Sequence, residues 1–115
     1  MKTRWLTRGA ATGLVLALGG LAALAQEPGA LAARGQRLFV EHGCYGCHAV
    51  GAAGTPIAAD LSRIGFKYPE SYLARWLRDP AAQKPTAHMP RLELSEADIE
   101  ALAAYLAGLR GGARP

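Results

Sequence analysis

Apolar residues follow helical spacing in three stretches of this 115-residue chain. The first runs from about Ala30 to the region of Cys44, the second from Pro69 to Arg78, and the third from Ser95 to about residue 108. Their apolar sides contain, in order, Leu31, Gly35, Leu38 and Phe39; Tyr72, Leu73, Trp76 and Leu77; and Ile99, Leu102, Leu106 and Leu109.

Helix start and stop signals support the second and third stretches. Pro69 suits a first-turn position, and Asp79-Pro80 is expected to end the second helix. Ser95-x-x-Asp98 resembles a capping box and predicts the start of the third helix.

The segments between these helices have the composition of loops. Val50 to Gly65 is rich in Gly and Ala, and Ala81 to Leu94 contains prolines. A short turn of helix is expected around Ala58 to Arg63, and we see no alternating pattern long enough for a strand. The sequence therefore predicts an all-α fold of three main helices, loops and a short extra helix.

Residues 1–25 have the pattern of a secretory signal peptide. Gly13–Leu21 is apolar, and Ala23–Ala25 reads as an A-x-A cleavage site, which predicts a domain of residues 26–115. The alternative is a retained membrane anchor, but Gly9–Ala25 is only 17 uncharged residues, at the lower edge of spanning length. The three basic residues of this segment are Lys2, Arg4 and Arg8.

The net charge of +4 comes largely from the N-terminal segment. Without its three basic residues, 10 Lys and Arg remain against 9 Asp and Glu, a net charge of +1. The charge therefore gives no reason to expect a nucleic-acid partner.

The densest chemistry in the chain is Cys44-Tyr45-Gly46-Cys47-His48. Two cysteines three apart with a following histidine form the attachment motif for a c-type haem. On one helical turn the three side chains share a face, so both sulfurs can reach the porphyrin vinyl groups while His48 offers Nε2 to the iron. We therefore expect one haem c, joined by two thioethers to Cys44 and Cys47.

Two other uses of a C-x-x-C pair are less consistent with this chain. A zinc site normally needs four ligands, and the remaining histidines, His42 and His88, are far apart in sequence. A dithiol redox pair is expected near a βαβ unit, and the sequence does not predict one.

A six-coordinate haem needs a second axial ligand besides His48. Apart from Met1, Met89 is the only methionine, and it lies in the segment between Pro85 and Pro90. A single methionine is more often a core filler, but a polar loop offers no helical face on which to bury it. His88 is the competing ligand, although a solvent-facing loop histidine is the simpler interpretation.

The chain after residue 26 resembles the class I cytochromes c. Gly35–Phe39 is similar to the family's first helix, and Leu102–Leu106 to its last helix, with Tyr105 at the aromatic crossing position. Tyr72–Pro80, followed by Met89-Pro90, is similar to the run from the middle helix to the axial methionine. The resemblance implies the family's fold and His48/Met89 ligation of the iron.

Two further residues have expected roles near the haem. In the family, a proline carbonyl often just before an Asx-Leu pair accepts a hydrogen bond from Nδ1–H of the ligating histidine. Here the residue before Asp60-Leu61 is Ala59, and the nearby proline is Pro56. Either backbone carbonyl could therefore accept from His48. Trp76 could donate to a haem propionate, lie near the methionine sulfur or pack in the core.

With both axial positions filled by protein, we expect one-electron transfer and no small-molecule substrate at the iron. The leading hypothesis is an electron carrier of the periplasm that docks on redox proteins as a monomer. A dedicated haem subunit of a periplasmic dehydrogenase or terminal oxidase is the alternative. A ligand binder or sensor with Met89 displaced is the third.

Overall fold

The computed structural model describes residues 27–111, and within them the chain is mostly helical. The α-helices are α1 Pro28–Glu41, α2 Ile64–Lys67, α3 Glu70–Arg78, α4 Pro80–Gln83 and α5 Glu96–Ala107. A 3₁₀ turn covers Cys44–Gly46, and two short strands, β1 Ala49–Val50 and β2 Ala53–Gly54, pair antiparallel. The expected all-α fold with three main helices is confirmed for this part of the chain.

Helix α1 ends before the cysteine motif, where we expected it to continue. It begins at Pro28, in the first-turn position that suits proline, two residues before the predicted start. It stops because Gly43 adopts a left-handed conformation, with φ 72°. Gly43 donates its N–H to the Val40 carbonyl at 3.1 Å, and the motif then begins as a separate 3₁₀ turn.

Asp79 separates α3 from an additional turn of helix that was not predicted. It follows the last residue of α3, as expected from Asp79-Pro80, and its carboxylate accepts from the Ala82 N–H at 3.4 Å. Pro80 occupies the first turn of α4, so the segment predicted as a loop from Ala81 begins as helix. An Asp cap followed by proline is itself a helix-start signal, which could have revealed α4.

One of the two hydrogen bonds of the expected capping box is present at the start of α5. The Ser95 hydroxyl accepts from the Asp98 N–H at 3.1 Å, as predicted. The Asp98 carboxylate instead accepts from Arg34 Nη2 of α1 at 3.0 Å. Asp98 thus joins the first and last helices.

The segment between the motif and α3 differs most from the prediction. The short helix expected around Ala58 to Arg63 is wrong, since the helical turn is α2, immediately after it. The ladder pairs Ala49 with Gly54 and Val50 with Ala53. Two-residue strands are too short to produce an alternating pattern.

Helices α1 and α5 cross in close contact at Gly35. A Cβ on Gly35 would overlap the Ala101 carbonyl and come within 2.7 Å of Tyr105 Cβ, so only glycine permits this approach. This geometry places Tyr105 at the helix crossing, as expected, with Gly35 opposite it.

The core lies where α1, α3 and α5 meet. Helix α5 packs on both of the others, so its alanines are buried together with the predicted apolar stripe. The buried hydrophobic residues are Leu38, Phe39, Leu73, Leu77, Ile99, Ala101, Leu102, Ala103 and Leu106.

Two observations concern the ends of the chain. The predicted signal segment, residues 1–25, lies outside the described residues. Among residues 27–111, no helix is both long enough and apolar enough to cross a membrane.

Candidate functional site

The cysteine motif is folded as a tight turn in which two backbone N–H groups donate to the same carbonyl. The N–H groups of Cys47 and His48 both point at the Cys44 carbonyl, at 3.2 and 3.0 Å. Cys44 is half-buried against the core, whereas Cys47 is exposed, and both are free thiols. Burial raises the pKa of the Cys44 thiol, so this sulfur is held as the neutral thiol near neutral pH.

The chain after the motif folds back and donates hydrogen bonds to the carbonyls of its last two residues. The Cys47 carbonyl accepts from the N–H groups of Ile57 and Ala58 at 3.2 and 2.7 Å, and the His48 carbonyl accepts from Thr55 at 3.2 Å. Gly54, with φ 92°, is the close-contact point, because a Cβ there would overlap the His48 carbonyl. The motif is thereby fixed on its C-terminal side.

The orientation of His48 is set by a backbone carbonyl eleven residues along the chain. His48 Nδ1 lies 2.7 Å from the Ala59 carbonyl oxygen. A carbonyl can only accept, so Nδ1 carries the proton and Nε2 is left with its lone pair for a metal. Of the two carbonyls left open by the sequence, the structure uses that of Ala59 rather than that of Pro56, which sits in an exposed loop.

A second set of hydrogen bonds secures the loop that contains Ala59. The Asp60 carboxylate accepts from the Ser62 N–H at 2.8 Å, and the Ser62 hydroxyl accepts from the Gly51 N–H at 2.7 Å. The hydrogen bonds from Ser62 hold the pKa of the Asp60 carboxyl below its usual value. This set ties the two sides of the loop together beside His48.

Aromatic rings support the motif from the crossing of α1 and α5. The Phe39 ring meets Tyr45 edge-on at 4.8 Å between centroids, and it meets Tyr105 at 5.6 Å. Burial, reinforced by neighbouring Tyr45, raises the pKa of Tyr105 to about 12. The motif is thus packed against the same crossing that Gly35 makes possible.

Met89 lies in the loop between α4 and α5 and contacts the core. Its side chain is half-buried, and its Sδ accepts a hydrogen bond from Trp76 Nε1 at 3.1 Å. Of the three placements left open for Trp76, the structure has the indole beside the methionine sulfur. The structure therefore brings Trp76 and Met89 together.

The two remaining histidines have other surroundings. His88 is exposed in the loop beside Met89, as the sequence suggested. His42 follows the end of α1, and its Nε2 lies 3.8 Å from the Asp98 carboxylate.

A cavity of about 700 Å³ lies away from the cysteine motif. Arg78, Arg91, Glu96 and Ile99 are among its lining residues, and the lining contains none of the expected haem residues. Arg78 and Glu96 form a two-bond ion pair at 2.9 and 2.7 Å across α3 and α5. This pair raises the pKa of the Arg78 guanidinium and lowers that of the Glu96 carboxyl. The cavity is therefore separate from the expected haem residues.

The Cytochrome c family model matches residues 32–110, a range that includes the motif, Met89, most of α1 and all of α5. The chain belongs to the cytochrome c family. Family membership together with the helical structure confirms the class I cytochrome c fold. It also assigns the domain to electron transfer by covalently bound haem.

A second protein is similar in sequence to most of this chain. The chain is 37% identical over 101 residues to a protein named cytochrome c oxidase subunit 2 from Alkalihalophilus pseudofirmus. The match covers 79% of this chain but 30% of the relative. The chain therefore spans under a third of the length of that relative.

The residues around the motif fit the covalent haem of this family. Two free thiols at the required spacing, a histidine with its Nδ1 already engaged and a half-buried thioether sulfur are the types of group that a six-coordinate haem c would require. The sequence could not distinguish the Ala59 carbonyl from the Pro56 carbonyl, because Ala59 acts through its backbone alone. The nearest available signal was its place immediately before Asp60-Leu61.

Proposed function

We propose that the chain is a one-electron carrier of the periplasm that holds one haem c through thioethers to Cys44 and Cys47. His48 and Met89 are the axial ligands. Bound haem c supplies an iron that cycles between Fe(II) and Fe(III). The protein supplies both ligands, so it offers no open coordination position to a substrate.

The hydrogen bond between His48 and Ala59 carries this proposal. By fixing the proton on Nδ1, it presents Nε2 as a ligand and prevents the ring from turning. A ligand set held before electron transfer changes little between the two oxidation states. Little reorganisation is what an electron carrier requires.

Met89 ligation is tested with two neighbouring variants. We expect the ferric holoprotein to show the far-red charge-transfer band of methionine-ligated haem, and Met89→Ala to lose it. Ferrous Met89→Ala should also bind carbon monoxide, because one axial position opens. His88→Ala is the matched control and should keep the band, since the His88 side chain is exposed. A band lost in His88→Ala and kept in Met89→Ala would contradict the ligand assignment.

A haem subunit or domain of an oxidase complex is the second candidate. It is favoured by the similarity to a protein named cytochrome c oxidase subunit 2, of which this chain spans 30%. The same haem chemistry would then be joined permanently to a catalytic partner. Native purification separates the two: a free carrier elutes as a monomer, whereas a subunit co-elutes with an oxidase or dehydrogenase.

A ligand-binding or sensing role is the third candidate. It requires displacement of Met89, which contacts both the core and Trp76. Rapid carbon monoxide binding by the unaltered ferrous protein would favour it. The predicted signal segment supports export for all three candidates, and N-terminal sequencing of protein recovered from the periplasm tests cleavage before Gln26.

A further inference from the structure

The loop of residues 49–62 follows the cysteine motif and is closed by a side chain at its end. The Ser62 hydroxyl accepts from the N–H of Gly51, eleven positions earlier in the chain, at 2.7 Å. One residue before Ser62, the Leu61 N–H donates to the Ala49 carbonyl at 2.9 Å. The second of these hydrogen bonds joins two backbone groups, whereas the first depends on the hydroxyl of Ser62.

Asp60 holds Ser62 in the direction that this closure needs. Its carboxylate accepts from the Ser62 N–H at 2.8 Å. Hydrogen bonds from the Ser62 hydroxyl and then from its backbone N–H lower the pKa of the Asp60 carboxyl. The carboxylate is therefore ionised near neutral pH and remains an acceptor. Ser62 thus donates to Asp60 while it accepts from Gly51.

The same loop presents the carbonyl that orients His48. This carbonyl belongs to Ala59, three residues before Ser62, and its oxygen lies 2.7 Å from His48 Nδ1. On the other side of Ala59, the Ala58 N–H donates to the Cys47 carbonyl at 2.7 Å. The Ala59 carbonyl is therefore held between the motif and the closure at Ser62. If the closure opens, the carbonyl gains freedom to move relative to the imidazole.

We infer that Ser62 is a positioning residue that holds the Ala59 carbonyl on His48 and thereby lowers the reduction potential of the haem. This inference rests on the proposed ligation of the iron by His48. A hydrogen bond from Nδ1–H to a carbonyl increases the electron density of the imidazole, which makes Nε2 a stronger donor. A stronger donor stabilises Fe(III) more than Fe(II), because Fe(III) has the higher charge. A firmly held carbonyl thus favours the oxidised state.

The test compares Ser62→Ala with Ser62→Thr in the holoprotein. Ser62→Ala removes the hydroxyl that accepts from Gly51, whereas Ser62→Thr keeps it. We expect Ser62→Ala to shift the Fe(III)/Fe(II) equilibrium about threefold toward Fe(II), a rise in potential of about 28 mV at ~59 mV per tenfold. Ser62→Thr should keep the potential of the unaltered protein. Ser71→Ala removes an exposed hydroxyl from α3 and is the matched control, which should not change the potential.

Nuclear magnetic resonance of the same proteins gives a second measurement. Hydrogen exchange of the Gly51 amide should be roughly fivefold faster in Ser62→Ala, as expected from the loss of a hydrogen bond worth about 1 kcal/mol. In the ferric protein, the hyperfine-shifted Nδ1–H signal of His48 should also move, because its bond to the Ala59 carbonyl changes. A role in stability alone would lower the free energy of unfolding and leave this signal in place.

The outcomes separate this inference from the proposed function. An unchanged potential and an unchanged His48 signal in Ser62→Ala overturn the positioning role, whatever the exchange rate of Gly51, and leave His48 ligation in place. Equal shifts of the potential in Ser62→Ala and in either Ser62→Thr or Ser71→Ala also overturn it, because the hydroxyl of Ser62 is then not the cause. Absence of hyperfine-shifted His48 signals from the unaltered ferric protein rejects His48 ligation and the inference with it.

Discussion

Tyr105 shows how burial near the motif changes the chemistry of a single side chain. Its pKa is raised from 10.0 to about 12, first by burial and then by Tyr45. The folded chain prefers the neutral phenol, so the resulting stabilisation is complete below pH 10 and declines as pH rises toward 12. Alkaline unfolding should therefore be more pronounced with Tyr105 than with phenylalanine in its place.

A difference titration isolates this group. The tyrosine absorbance of the unaltered protein minus that of Tyr105→Phe should give an ionisation midpoint well above 10, near 12. Denaturant unfolding of both proteins at pH 8 and pH 11 then measures the loss of stability. A difference midpoint at 10, with equal pH dependence in both proteins, would show that burial does not act on Tyr105 in this way.

At the scale of residues, the sequence revealed the side chains with distinctive chemistry, but it did not reveal which backbone groups or neighbours hold them. The spacing of Cys44, Cys47 and His48 indicated a haem site without any structure. The partner of His48 Nδ1 had two candidates, because every residue has a carbonyl and only the path of the loop selects Ala59. The contact between Trp76 and Met89 remained one of three options, because only the path of the loop brings the sulfur beside the indole.

At the scale of elements, the crossing of α1 and α5 depends on the missing side chain of Gly35. Gly35→Ala places a Cβ against the Ala101 carbonyl, so the helices must separate. We expect the free energy of unfolding to fall by about 1–3 kcal/mol, the usual penalty of overpacking. Denaturant unfolding of the holoprotein measures the change.

Gly29 in the same helix is the matched control for Gly35. A Cβ on Gly29 meets nothing within 4 Å, so Gly29→Ala should be neutral or stabilise the helix by up to about 1 kcal/mol. If the two variants are equally stable, close approach is not what glycine provides at the crossing.

The helices were predictable where a local signal marks an end. Ser95 and Asp79-Pro80 fixed two boundaries correctly, because capping and proline act within a few residues. The short helix was predicted at 58–63 but lies at Ile64–Lys67, and the β1–β2 pair was not predicted. Both lie in the loop that covers the motif, whose shape depends in part on contacts with Cys47 and His48 that no local sequence pattern reveals.

At the scale of the molecule, the buried core of residues 27–111 is small. Nine buried hydrophobic residues form it in this part of the chain, and domains of this size usually need additional support. A covalently attached haem would provide a large apolar body. We expect the double variant Cys44→Ala/Cys47→Ala to be largely unfolded when it contains no haem.

Far-ultraviolet circular dichroism tests this expectation. The spectrum of the double variant, confirmed to be haem-free, is compared with that of the holoprotein at the same temperature. The double variant should lose most of the helical signal. Native-like helix in it would show that the polypeptide core alone is sufficient.

The pairing of α1 with α5 also has a consequence for the order of events during synthesis. Arg34 and Asp98, which join the two helices, are 64 residues apart in the chain. Helix α1 is synthesised before α5 and therefore finds this partner only after α5 has been made. Until then the cysteine motif belongs to an incompletely folded chain, in which Cys44 lacks the core that half-buries it in the folded domain.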